Sequence, residues 1–130
     1  MKIKVSEATD IQIDWMVATC EGKNGELHDD GITRCIVIAA ASGVYKGTWK
    51  PSINWAQGGP IIEREKLCVG YKHQADPEYC PLNDPSTNCW ARTTAGGYLS
   101  YGPTPLIAAM RCLVASKLGD EVEVPDELTC

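Results

Sequence analysis

WKPSINWAQGGPIIERE, from Trp49 to Glu65, gathers the most conformationally demanding residues of this 130-residue chain, and the neighbouring elements can be placed from it. Pro51-Ser52 followed by Asn54 has the chemistry of a turn or a helix cap. Gly58-Gly59-Pro60 then breaks the local pattern, because glycine frees the backbone while proline fixes φ and removes a donor. Two readings are open. Pro60 can occupy the first turn of a helix, where a missing N–H does no harm. Alternatively, the Gly-Gly-Pro turn presents backbone and side chains to a ligand. Either way, Ile61, Ile62 and Leu67 supply the buried side of a second helix, and Glu63, Arg64 and Glu65 fall elsewhere on it.

Downstream, Leu67 to Lys72 reads as a strand, and Cys89 to Thr94, around Trp90, as its partner. The 73–89 segment between them has three prolines and many turn formers, so it reads as a long irregular connection. Ala95-Gly96-Gly97 turns the chain into Tyr98–Tyr101. Thr104 and Pro105 then supply an N-cap and a first helical position, and the helix runs to Leu118 with Gly119 past its end. Leu106, Ala109, Met110, Leu113, Val114 and Lys117 form one face of that helix. Thr104, Ala108, Arg111 and Ala115 form another, on which small residues let a neighbour approach while Arg111 reaches across. Arg111 therefore either pairs with a carboxylate such as Glu63 or receives an anion.

Upstream, Met1 to Val5 alternates like a short strand. Thr9 and Gln12 make a capping box for a helix over 10–21, with Ile11, Trp15 and Ala18 on one face and Gly22 as its stop. Gly22–Gly31 is polar and turn-rich, so it reads as a loop carrying His28. Arg34–Ala40 and Val44–Trp49 form a hairpin across Ala41-Ser42-Gly43. The expectation is a single α+β domain over 1–130, with about four mainly antiparallel strands and three helices in the order α-β-β-α-β-β-α. Residues 120–130 are expected to be an acidic tail that contributes charge but little apolar surface.

Composition narrows the function classes. Hydrophobic residues make up 44% and charged residues 22%, which are ordinary globular values. The formal charge of -5 comes from five acids after Gly119, leaving twelve acids against twelve bases elsewhere. No basic stripe capable of neutralising several phosphates is present, which argues against long nucleic acid as a partner. Apolar runs are too short to span a bilayer, and MKIKVSEATD is no signal peptide, so no membrane role is expected. The seven cysteines are odd in number and read as thiols. His73, Cys80 and Cys89 lack the paired spacing of a zinc site, so neither metal nor cofactor is expected.

The chemistry-bearing residues favour binding over catalysis. Neither histidine sits in a recognisable catalytic setting, and no nucleophile elbow or phosphate loop is present, so no catalytic residue is assigned. Trp49, Trp55 and Trp90 can stack on a planar group, and Ser52, Asn54 and Gln57 can read its edges. Gly58 and Gly59 allow close backbone approach, and Arg64 or Arg111, with Thr104 nearby, can meet an anion. Trp55, Asn54, Gln57 and Arg111 are expected to converge on one pocket between the second and third helices. The ligand expected is nucleotide-like, such as a host nucleotide signal to be sequestered. The alternatives are an adaptor or inhibitor that binds a host protein and, behind both, an enzyme. Self-association is left open.

The strings WAQGGPIIERE (55–65), Trp90-Ala91 and YGPTPLIAAMRCLVASKLGDEVEVP (101–125) resemble the NinX family of small phage proteins. A more distant resemblance is to the phage domain described as an alpha-beta-alpha sandwich. The 73–89 loop is the least family-like part, and Ile53-Asn54 stands where the family pattern has Thr-Asp. The resemblance implies a phage or prophage accessory product acting in the bacterial host cytoplasm, and it brings no catalytic motif.

Overall fold

The structure is a computed structural model and describes residues 1–39, 46–71, 88–94 and 97–129. The first half runs through β1 (Lys2–Lys4), a 3-10 turn (Val5–Glu7), α1 (Asp10–Cys20), β2 (Glu26–Asp29), β3 (Arg34–Ala39) and β4 (Lys46–Trp49). The second half runs through α2 (Trp55–Glu65), β5 (Leu67–Tyr71), β6 (Cys89–Thr93), β7 (Leu99–Gly102), α3 (Pro105–Leu118), β8 (Glu121–Glu123) and a last 3-10 turn (Asp126–Leu128). The α+β class and the alternation of helices with antiparallel strands are as expected. The strands are more numerous. Where about four strands were expected, the described residues form two three-stranded sheets, β2-β3-β4 and β5-β6-β7, and a ribbon of β1 with β8.

Each unit follows from local chemistry. The expected antiparallel pairing appears as β3 on β4, with Ile36 opposite Trp49 and Leu27 of β2 on the other side of Ile36, while the turn expected at 41–43 lies outside the described residues. Paired residues share a sheet face, so Leu27, Ile36 and Trp49 form one apolar row; α1 lies against β3, and a Cβ at Gly25 would lie 3.1 Å from both Ala18 Cβ and Ile36 Cγ2. β2 lies inside the stretch read as a loop, since its Glu26-Leu27-His28-Asp29 offers only one apolar residue to the pattern. Its formation depends on pairing with β3. In the second sheet, Val69 faces Ala91 and Ala91 faces Ser100.

α3 is the centre of the core. From Leu106 to Ala115 only Arg111 is not buried, because the β5-β6-β7 sheet covers one side of the helix while α1 and α2 flank it. Its cap is as expected: Thr104 Oγ1 accepts the N–H of Ile107 at 3.1 Å. Gly102 allows the sheet and helix to meet, since a Cβ there would lie 2.8 Å from the backbone nitrogen of Ala108.

α2 begins earlier than either sequence reading placed it. Asn54 Oδ1 accepts the N–H of Ala56, so the helix starts at Trp55 and the Gly58-Gly59-Pro60 triplet lies inside it. Gly58 explains the tolerance: a Cβ there would lie 2.5 Å from both Leu106 Cδ1 and the Pro51 carbonyl oxygen. α2 therefore lies backbone-close to α3, and that contact offsets the weak helix propensity of the triplet.

The acidic end is not a loose tail. β8 pairs with β1, Val5 N–H donates to Asp120 O, and Val122, Val124 and Leu128 are buried. The apolar positions among the acids are what dock. Among the described residues, no helix is long and apolar enough to cross a membrane.

Candidate functional site: an arginine cleft closed by the C-terminal turn

A cleft of about 780 Å³ lies between the start of α1, the middle of α3 and the last turn. Three contacts build its walls. Thr9 N–H donates to Gln12 Oε1 at 2.9 Å, fixing the first turn of α1, and Gln12 Nε2 donates onward to Leu128 O at 2.8 Å. Arg34, at the start of β3, donates to Glu127 O at 2.6 Å and lies 3.6 Å from Asp29. The carbonyls of the last turn are thus held by side chains from α1 and β3, and Leu128 and Thr129 line the cleft.

Arg111 enters from α3. Its Nη1 donates to Tyr101 O and its Nη2 to Ala8 O, each at 2.9 Å, while Nε is buried and has no partner among the described residues. The expected pairing with Glu63 is absent. Among the described residues no carboxylate lies within ion-pair distance of Arg111, and burial holds its pKa below the usual arginine value, partly opposed by the charge of Asp10. Two neutral carbonyls orient the guanidinium without cancelling its charge. Arg111 also borders a second hollow of about 430 Å³, with Tyr101, Lys4 and Asp120 among its walls.

The chain's residues 4–117 match the sequence profile described as bacteriophage P22, NinX. The chain belongs to the NinX family. No curated protein matches it. The NinX match ends at residue 117, so Leu128 and Thr129 close the cleft from outside the matched span.

The residues singled out in this NinX chain are not gathered in either of the two cavities that Arg111 lines: among the described residues, neither includes a residue of α2. Trp49 is core: it is 7% exposed, and Lys23 Nζ stands 5.5 Å from its ring centre. Asn54 is spent on the cap of α2, and Gln57 straps α2 to β4 by accepting from Lys50 N–H and donating to Thr48 O. Gly58 is filled by Leu106, Gly59 faces the edge of Trp55 at 3.9 Å, and Thr104 caps α3. Arg64 forks onto both carboxylate oxygens of Glu21 at 2.7 Å and also reaches Glu65. Trp55 is exposed on the first turn of α2, and Trp90 is half-buried on the β5-β6-β7 sheet.

Ser52 is buried, and its N–H donates to Asp14 Oδ1 at 2.9 Å. Asp14 is itself buried in α1. Desolvation raises its pKa to about 6, the hydrogen bonds from Ser52 oppose the rise, and the charge of Asp10 adds to it. Nothing local in the sequence marks the Asp14–Ser52, Arg34–Glu127 and Gln12–Leu128 hydrogen bonds, since the partners lie tens of residues apart. A polar residue among apolar ones on α1 was the one available signal. Among the described residues no group of three or more His, Cys, Asp or Glu side chains could hold a metal; His73 and Cys80 lie outside them. Cys89 is buried in β6 with its thiol directed at Pro103 O.

Proposed function

We propose that this phage accessory protein works by binding rather than catalysis, holding a small anion-bearing molecule in the cleft beside Arg111. The observation that carries this reading is the state of that arginine: oriented by two carbonyls, partly desolvated, with one buried donor unmatched and no carboxylate partner among the described residues. A cleft of about 780 Å³ suits a metabolite-sized ligand. Ile11, Ile107 and Leu128 offer apolar contact, while Glu7 and Asp10 on the same walls oppose a highly charged polyphosphate. One compact anionic group on a larger body fits best, which includes a host nucleotide signal such as a cyclic nucleotide. Phage family membership supports action within the bacterial host.

The test is calorimetric titration with cyclic AMP, cyclic di-GMP, AMP and inorganic phosphate. Binding by one of them should weaken at least about tenfold in Arg111→Lys, which keeps the charge and loses the fork. Affinity indifferent to Arg111→Lys, or no binding by any of the four, removes the reading.

A host-protein adaptor is the second reading, supported by Ile53 and Trp55, which are 55% and 54% exposed beside one another at the start of α2. Trp55→Ala should then abolish the phage phenotype and leave ligand titrations unchanged.

A further inference from the structure

The β5-β6-β7 sheet has one face on α3 and an opposite face whose residues follow from the register: Cys68, Gly70, Trp90, Arg92, Leu99 and Tyr101. Trp90 does not stand up from this face. A Cβ at Gly70 would lie 2.7 Å from Trp90 Cζ2 and 2.9 Å from Cε2, so the indole is laid against the neighbouring strand at the one position without a side chain. The Arg92 guanidinium carbon lies 5.9 Å from the centre of the Trp90 ring. The indole thus steadies a guanidinium that is exposed and, among the described residues, has no ion-pair partner.

Next to this pair is a hollow of about 400 Å³, lined by Cys68, Arg92, Thr94, Tyr98 and Leu99 among others. Tyr98 and Leu99 are 43% and 56% exposed. Three features select the occupant. Arg92 is the single charged side chain among the six outward residues, on a chain of formal charge -5, so the complementary charge is one anion. Guanidinium, phenol and leucine present flat or apolar surface, so the body attached to that anion is planar and aromatic. The volume is that of a small-molecule site, whereas a protein partner needs about 800 Å² on each side. We infer that the outward face beside Trp90 and Arg92 is a second binding site, distinct from the Arg111 cleft, that takes a planar aromatic monoanion.

A pair of fluorescent probes of nearly the same shape tests this: 8-anilinonaphthalene-1-sulfonate, which carries one anionic group, and N-phenyl-1-naphthylamine, which carries none. With the full chain, the sulfonate should bind beside Arg92 about tenfold more tightly than the neutral probe, the scale of one charge-assisted contact. Arg92→Gln, at an exposed position, should bring the sulfonate down to the affinity of the neutral probe. Gly70→Ala should weaken both probes, because its methyl displaces the indole; circular dichroism confirms that the variant is folded. The inference is overturned if the sulfonate does not bind, if the two probes bind alike, or if Arg92→Gln leaves the preference intact. A response to Arg111→Lys in place of Arg92→Gln also overturns it, because the probe then sits in the cleft.

Discussion

Asp14 and Ser52 join the first helix to the turn that launches the second: the buried carboxylate on α1 accepts the Ser52 N–H at 2.9 Å, from 38 residues away. Because burial raises this carboxyl from 3.8 to about 6, the native state binds a proton more tightly than the unfolded chain. Its contribution to stability is therefore fully present below about pH 4 and is lost as pH rises through 6. Two units correspond to about 3 kcal/mol at most. Asp14→Asn should lack this dependence, gaining about 2–3 kcal/mol relative to wild type between pH 4 and pH 7.5. Urea unfolding across that range measures it, and parallel curves would refute it.

Gly58 and Gly59 should respond in opposite ways to the same change. Gly58→Ala drives a methyl into Leu106 and the Pro51 carbonyl, and one of the two contacts is backbone that cannot swing aside. It should cost about 1–3 kcal/mol. Gly59→Ala meets only the edge of Trp55 at 3.9 Å and should stabilise by about 0.5–1 kcal/mol through helix propensity. Equal effects in denaturant titrations would mean that α2 does not lie against α3 in this way.

Removal of residues 120–130 should unfold the protein or nearly so, contrary to the expectation of an acidic tail with little apolar surface. Val122, Val124 and Leu128 are 8%, 2% and 2% exposed, and each contributes about 1.5–3 kcal/mol when buried. Leu128→Ala alone should cost about 2–4 kcal/mol. A truncated chain with an unchanged melting temperature would show that this end does not dock.

Arg111→Ala should destabilise by about 1–3 kcal/mol whether or not a ligand is present, because it strips a donor from both Tyr101 O and Ala8 O. Arg111→Lys should recover part of that loss. Comparing thermal melts of the two variants without ligand separates this structural contribution from the binding role.

Treatment with a chelator should leave the melting temperature unchanged. A large drop would assign a structural metal to this chain, because a metal site that assists folding releases its stabilisation when emptied.

Much of the architecture was legible because it is written in local chemistry. Thr104-Pro105 and Gly119 bound α3, Thr9 with Gln12 starts α1, and β-branched runs mark β3 and β4; each signal acts within a few residues. Family membership was legible in the same way, from contiguous strings such as 55–65 and 101–125. What escaped were features made by pairing across long separations. β2 has one inward residue and forms only because Ile36 lies beside it. The acidic end docks because β1 and the core receive Val122, Val124 and Leu128, whose spacing among acids resembles a solvated tail. Arg111 was identifiable as a residue with two uses, but its partners, two main-chain carbonyls at positions 8 and 101, carry no side-chain signature. Sequence by itself determined which segments prefer helix or strand and which charges lie at the C-terminal end. Tertiary structure alone decided which polar groups meet, because hydrogen bonds to backbone carbonyls depend on where the chain passes and not on which residue is there.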